Sequence, residues 1–581
     1  MDGERAATGD ATSVDAALAS LRGAAPAWSG TGLAERIDLL DRLSARVLAE
    51  ADGMVAAAAL AKGYPADSLW AAEDWSGGPW ALLQHIDGYR RALRRIAAGG
   101  APIAAGAVHR DGDGRTAVDV FPASGWDRLL LNGLSARVRL RPGVTPEQAL
   151  ASAGGAYRGQ RPNPGVAAVL GAGNVAAITP LDVLHKLYSE GQVVAGKLNP
   201  VNGYLSPLLR RIFADFVAAG WVRFLDGGPE IGHYLVHHPD VDAVHLTGSA
   251  HTHDAIVWGT GAEAQRRRRE GTPLLAKPIS SELGGVSPCI VVPGRWSAAD
   301  LRFQAELIVT SKLNNSGHNC IATQVIVLPE GWPGGPRLLA EIRNVLAGLP
   351  GRPGYYPGTD RRLRAVREAY PDAESLGPDG SWLLVPELAG TAGTAGDPGT
   401  GPLVCEEVFG TALGVVRLPA ATTADYLRRA VDFANDQLPG TLGATVLIDP
   451  RTGRRERRAV TAAVHALRFG TVGINVWSGV GFLLGATPWG AYPGHDLAEI
   501  GSGVGTAHNT FLLADVEQTV LRGPFAPFPR GLVTGAPSLS PRPPYFVGNR
   551  TSLTTVRRIT RFAARPSARQ VPAIFASALR G

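Results

Sequence analysis

Three cysteines, Cys289, Cys320 and Cys405, are the thiols of this 581-residue chain, too few for a disulfide framework. A thiol does covalent chemistry when it sits on an accessible turn and can ionise. Cys320 is placed for that. It closes the run Gly317-His318-Asn319-Cys320 just ahead of the apolar segment Gln324-Val325-Ile326-Val327. Such a turn exposes Sγ and supplies backbone N–H groups. The bland alternative is a small buried apolar side chain, the usual fate of a free cysteine. Cys289, inside Cys289-Ile290-Val291-Val292, fits that alternative, and Cys405 leans the same way. His318 could lower the thiol pKa as an imidazolium, but a loop-packing role is favoured.

Other residue types carry less. His233, His237, His238, His245, His251 and His253 are spread over a helix, a turn and a strand, without an acid or cysteine at ligand spacing, so no metal is expected. Arg266 to Arg269 form one short basic run in a polar insert, Trp258 to Pro273. It lacks the wider basic face that nucleic-acid binding needs, and it reads as solvated. Lysines are few: Lys62, Lys186, Lys197, Lys277 and Lys312. A lysine kept in so arginine-rich a chain carries extra weight where chemistry wants one.

The elements that must position these groups are clearest between residues 166 and 248. Val166–Leu170 reads as a buried strand closed by Gly171-Ala172-Gly173. A helix through Val183–Leu187 follows, then strand Gln192–Ala195, a helix from about Leu205 to Ala218, strand Val222–Leu225, a short helix at Ile231–Val236 and strand Ala243–Leu246. This alternation implies a parallel sheet covered by helices on both faces. Gly248-Ser249 ends the last strand and should open a helix whose free N–H groups suit a pyrophosphate. Upstream, Ser13 to Ala98 is helical, with Ile37, Leu40, Leu43 and Val47 forming one stripe. Ala136–Leu140 alternates like a strand and ends in a hairpin-like Arg141-Pro142-Gly143. A second α/β region runs from Val286 to about Leu484, interrupted by a Gly/Thr/Ala-rich loop at 390–401.

Taken together, six segments resemble the aldehyde dehydrogenase superfamily: Leu170 to Asn174 with Lys197, Leu246 to Ser249, Ser281-Glu282-Leu283-Gly284-Gly285, Gly317 to Cys320, Glu406-Glu407-Val408-Phe409-Gly410, and Gly470 to Asn475. Each is weak alone; their order and spacing are specific. The resemblance runs from about Trp28 to Phe525. It implies an α/β fold with a Rossmann-like cofactor domain (1–136 and 162–283), an α/β catalytic domain (284–484) and small oligomerisation strands (137–161 and 505–523). Residues 524–581 form a C-terminal extension. The expected assembly is a homodimer or homotetramer.

The resemblance assigns roles. Cys320 is the nucleophile that forms a thiohemiacetal and then a thioester. Asn174 and the Cys320 backbone N–H form the oxyanion site. Glu282 activates the deacylating water. Lys197 meets the adenosine ribose of NAD or NADP, Gly248 and Ser249 the pyrophosphate. Leu283 and Gly284 pass the nicotinamide, while Glu407 and Phe409 hold its ribose and ring. Pro200 stands where NAD-preferring members often place a ribose-binding Glu, so NADP should be tolerated. His253 replaces a second glycine after Gly248. Gly171-Ala172-Gly173 replaces bulkier flanks of the oxyanion Asn and should open the pocket; this stretch also resembles the fatty acyl-CoA reductase branch. Three functions are compatible with these roles: aldehyde oxidation to a carboxylate, reduction of an acyl thioester through the same Cys320, and a non-catalytic scaffold. Retention of Glu282 favours hydrolysis, and retention of the whole set disfavours the scaffold.

Bulk properties are consistent with an enzyme. Hydrophobic residues are 45% and charged residues 19%, a globular balance, and a net charge of +6 is mild for this length. The N-terminal sequence lacks a signal-peptide pattern, and no stretch of about 18 apolar residues suggests a membrane span. A reducing cytoplasm is the expected location. After Gly523, Pro524, Pro527, Pro529, Pro541, Pro543 and Pro544 prevent a continuous helix or central strand, and Val556, Ile559, Phe562 and Ala563 then repeat at helical spacing. That predicts an amphipathic helix docked on the enzyme, dispensable for chemistry; a membrane-surface helix is the less favoured rival.

Overall fold

A computed structural model describes residues 10–159, 165–388, 401–535 and 538–581. The Gly/Thr/Ala-rich loop therefore lies outside the described residues, Gly401 apart. Among the described residues, seventeen strands form two sheets. In chain order they are β1 (Val108–Arg110), β2 (Thr116–Phe121), β3 (Ser135–Leu140), β4 (Val166–Leu170), β5 (Val193–Lys197), β6 (Val222–Leu225), β7 (Ala243–Gly248) and β8 (Ile279–Leu283). Then come β9 (Ser287–Val291), β10 (Thr323–Pro329), β11 (Glu374–Leu376), β12 (Trp382–Val385), β13 (Ala412–Leu418), β14 (Gly443–Leu447), β15 (Thr471–Ile474), β16 (Gly503–Val504) and β17 (Val516–Arg522).

The smaller sheet has the order β16-β8-β7-β4-β5-β6, parallel except for β16. Its inner strands are apolar runs because helices cover both faces: Val166 to Val169 and Val193 to Ala195 are fully buried. The expected helix from 205 to 218 is two short helices, Ser206–Ile212 and Ala214–Ala218. The polar insert holds a helix, Gly261–Glu270, in which Arg266 pairs with Glu263 and Glu270 at i−3 and i+4. That pairing explains how so polar a stretch stays helical in water.

The larger sheet runs β1-β2-β3-β17-β15-β14-β9-β10-β13-β12-β11. Strands β1 and β2 pair in this sheet rather than in the smaller one. The strands expected to serve oligomerisation pair within the chain, β17 lying parallel to β15 and antiparallel to β3. The hairpin-like turn after Leu140 also needs correction. No partner strand comes next; Thr145 and Gln148 form a capping box that starts helix Pro146–Ser152.

The tail packs on the body. Phe546 lies 4.9 Å from Phe303, ring centre to ring centre, and the Val547 N–H donates to Thr310 Oγ1 at 3.1 Å, both on helix Ala298–Leu313. Helix Ser552–Ala564 lies against Ala71–Trp75 and the π-helical turn Ser76–Trp80, with the Arg557 guanidinium 5.5 Å from the Trp75 ring centre. Among the described residues no helix is long and apolar enough to cross a membrane. Because the tail buttresses elements that reach the central cavity, its deletion should reach the chemistry too. Removing residues 545–581 is expected to lower the Tm by ~5 °C or more and to weaken small-molecule binding beside Cys320. Thermal scanning and titration of the truncated protein check this, and an unchanged Tm would contradict it.

Candidate functional site

Cys320 sits where the two sheets meet. Helix Ala298–Leu313 delivers the chain to a sharp turn in which Asn315 and Ser316 both hold left-handed φ, 55° and 57°. Gly317 follows at φ +72°, where an added Cβ would lie 2.4 Å from the Gly410 carbonyl oxygen. Only glycine lets the turn close against that neighbour. The turn aims Cys320 Sγ into a narrow cavity of about 40 Å³, shared with Asn174, Glu282, Trp477, Phe482 and Trp489. Cys289 is fully buried in β9 and Cys405 is exposed.

Glu282 comes from the other sheet. It lies on β8, opposite Thr247 of β7 and Gly503 of β16. The Cys320 thiol donates to Glu282 Oε1 at 3.1 Å. Glu282 Oε2 is buried without a hydrogen-bond partner among the described residues. Burial pushes this carboxyl up to about 7; the thiol hydrogen bond opposes the shift and the charge of Asp182 adds to it. Burial also raises the Cys320 thiol, and the neighbouring Glu282 carboxylate raises it further. The pair is a desolvated thiol beside a carboxyl whose pKa suits a base near neutrality.

Asn174 closes the third side. Its side-chain amide donates to the His318 carbonyl at 3.1 Å, which leaves a second N–H on the same nitrogen. The Asn174 backbone carbonyl accepts from Asn315 Nδ2 at 2.8 Å and from the Tyr355 hydroxyl at 2.9 Å. The flanking glycines do not open the pocket as their size suggests. A Cβ on Gly171 would meet Thr179 Oγ1 at 1.9 Å, and one on Gly173 would meet Asn199 Oδ1 at 2.7 Å. Thr179 and Asn199 occupy the space that the missing side chains vacate.

His318 packs. Its ring lies among Tyr355, Tyr356 and Phe409 at 4.8, 5.6 and 5.5 Å, and Nε2 meets Thr359 Oγ1 at 2.8 Å. Burial, reinforced by surrounding cations, lowers it to about 3, so it is neutral. The other expected residues lie on the strands and turns around the site. Lys197 ends β5 and runs along Gly232, with Cδ 3.5 Å from where a Cβ would sit there. Gly248 and Ser249 are exposed, and Ser249 caps helix Ala250–Val257. His253 turns inward, fully buried, rather than standing in for a glycine on the exposed side. The Glu407 carboxylate covers Gly284 so closely that a Cβ there would lie 2.2 Å from its oxygens. Leu283 is buried beside it, and Phe409 holds φ +46°.

Some site residues carry no motif in the sequence. Lys62 donates to Asp74 Oδ1 at 2.5 Å and to Asn315 Oδ1 at 2.8 Å, and both Lys62 and Asp74 line the cavity. Buried Lys312 donates to the Gly410 carbonyl at 3.1 Å and faces the charge of Glu407, with burial bringing it down to about 7. Lysine scarcity was the available signal for both. Among the described residues, Asp111, Asp113 and His465 are the one cluster with metal-like spacing. Arg139 bonds both carboxylates at 3.0 and 2.5 Å and fills it.

Comparison with known proteins bears on the family and the fold. Residues 157–340 fit the aldehyde dehydrogenase family model, and the solved aldehyde dehydrogenase KauB from Pseudomonas aeruginosa superposes with a TM-score of 0.57 over 89% of this chain and 90% of its own, at 18% identity. The matched segment is similar to the aldehyde dehydrogenase family, and the fold is that of solved aldehyde dehydrogenases. The NADP-dependent glyceraldehyde-3-phosphate dehydrogenase of Bacillus halodurans, solved with NADP, shares the fold at TM-score 0.56, 18% identity and 88% and 92% coverage. Among sequence relatives, the N-succinylglutamate 5-semialdehyde dehydrogenase of Novosphingobium aromaticivorans is 27% identical over 54% of this chain and 53% of its own. The geranial dehydrogenase of Castellaniella defragrans is 28% identical over 47% and 56%. The chain thus spans about half the length of the curated relatives it matches.

Removing the Glu282 charge should free the thiol. Glu282→Gln is expected to shift alkylation of Cys320 by iodoacetamide to lower pH, raising its rate at pH 8 about three- to tenfold. Peptide mass spectrometry separates Cys320 from the exposed Cys405. An unchanged Cys320 profile would show that the two groups do not share the proton.

Proposed function

We propose that the protein oxidises an aldehyde to a carboxylate with NAD or NADP. The observation that carries this reading is the 3.1 Å contact between Cys320 Sγ and Glu282 Oε1, with the Asn174 amide beside the same cavity. Glu282 takes the thiol proton as Sγ adds to the aldehyde carbon. The second N–H of the Asn174 amide and the Cys320 backbone N–H meet the resulting oxyanion. Bound nicotinamide supplies the hydride acceptor. Once the thioester stands on Cys320 and Glu282 has released its proton, the same carboxylate takes a proton from water, and hydroxide adds to the acyl carbon. The sulfur leaves as thiolate and the carboxylic acid departs. The Glu282 position supports hydrolysis over transfer to a second thiol.

The cofactor fits the residues present. Glu407 Oε1 is buried without a partner among the described residues, as a group meant to accept from a ribose hydroxyl would be. Lys197, Gly248, Ser249, Leu283, Gly284, Glu407 and Phe409 would hold it. The missing acid at Pro200 has a substitute: Glu230 and Asp226 are negative neighbours of Lys197. Assembly as a homodimer or homotetramer and a reducing, cytoplasmic location are part of this reading.

An aldehyde panel with NAD and NADP at matched concentrations tests it. Turnover should appear with wild type, fall by about 10³ or more in Cys320→Ala, and persist in Cys289→Ala. Rates should rise as pH increases through about 7, because Glu282 works as the carboxylate. Glu230→Gln should improve NADP use relative to NAD. Full turnover in Cys320→Ala would overturn the reading.

A further inference from the structure

A second buried polar cluster lies behind the site, and the Cys320 chemistry does not use it. Asp182, on helix Ile178–Tyr188, is fully buried. Its Oδ1 accepts from His508 Nε2 at 2.9 Å and lies 3.5 Å from His245 Nε2, and its Oδ2 accepts from the Thr247 hydroxyl at 2.9 Å. His245 Nδ1 meets Ser280 Oγ at 2.9 Å, and Lys186, paired with Glu190, donates to the same Ser280 oxygen at 3.1 Å. A charged carboxylate with two imidazoles is a costly thing to bury for packing alone.

Two routes connect this cluster to Glu282. Thr247, which holds Asp182, is the direct β7 neighbour of Glu282 on β8. His508, which holds the other oxygen, forms a β-bridge with Trp489, whose amide donates to the His508 carbonyl at 2.8 Å. Trp489 lines the Cys320 cavity, and its buried indole N–H faces Glu282. Phe482 closes the gap, packing on both Trp489 and His508 at 5.7 and 5.3 Å.

We propose that Asp182, clamped by His508, His245 and Thr247, is a positioning residue that tunes the Glu282–Cys320 pair from behind the β7–β8 seam without touching substrate or cofactor. This rests on the reading of Glu282 as the base. The charge has the right sign. Burial works against ionising Asp182, but its histidine partners more than offset that and keep it a carboxylate, whose field holds protons on Glu282. The other ionisable groups facing Glu282 are Cys320 and Glu407, with the Lys62–Asp74 ion pair across the cavity. Those facing Asp182 are His245 and His508, with His85 packed edge-to-face on His508 at 5.2 Å. Glu190 also reaches β8 from the helix side, through Lys186 and Ser280, but as an ion pair with Lys186.

The test reads Glu282 directly. Infrared difference spectra of the full-length protein, each background minus its Glu282→Gln counterpart, give the protonation curve of this carboxyl against pH. In Asp182→Asn, which keeps shape and loses charge, the curve should move about one pH unit to lower pH. The acid limb of p-nitrophenyl acetate hydrolysis at Cys320 should move with it, at little change in KM. Should Asp182→Asn fail to fold, Asp182→Asn with His508→Gln replaces the carboxylate and its imidazole partner by amides and should give the same direction. Superimposable Glu282 curves in a folded variant would overturn the proposal. A shifted curve in a protein that oxidises no aldehyde would uphold it while the proposed reaction fails.

Discussion

The structure turns on one contact across a seam: a thiol from the large sheet donating to a carboxyl from the small one. Neither sheet holds a working site alone. Cys320 needs the left-handed turn that Asn315, Ser316 and Gly317 make against Gly410, and Glu282 needs β8 threaded between β7 and β16. Desolvation then raises the proton affinity of both groups together, so a proton shared between them can move at neutral pH. A solvated Glu would be ionised well below neutrality and would be a weaker base for the thiol proton.

Much of this was legible in the sequence. The β4-helix-β5 and β6-helix-β7 alternation reads directly from apolar runs broken by glycine, because strands buried on both faces have no other composition. Cys320, Glu282 and Asn174 lie far apart in sequence and meet in space, and motif order was enough to group them. The glycines misled. Gly171 and Gly173 are small because Thr179 and Asn199 press on them, a fact no local pattern carries. The hairpin after Leu140 failed for a related reason. Arg141-Pro142-Gly143 marks a reversal of the chain but not the type of the next element, and the Thr145 cap makes that element a helix.

Long-range polar pairing was the part that stayed hidden. Lys62 meets Asn315 across 253 residues, and Asp182 meets His508 across 326. Such pairs follow no period, and their residues look generic where they stand. They are nonetheless what makes the pocket walls polar and fixed, since a half-satisfied buried network would cost more than an apolar one. The tail is hidden in the same way: its helical spacing is readable, but not that Phe546 and Arg557 support the elements beside the cavity residues Glu73 and Asp74.

The most direct measurement is the mass of the Cys320 peptide after Glu282→Gln protein is mixed with aldehyde and NAD(P). Glutamine cannot activate the deacylating water. If Cys320 carries the acyl group and Glu282 releases it, an acyl group appears on Cys320 and persists, at the mass of the aldehyde less two hydrogens. Acyl transfer to another residue, or its complete absence with aldehyde oxidation still proceeding at the wild-type rate, would contradict the account.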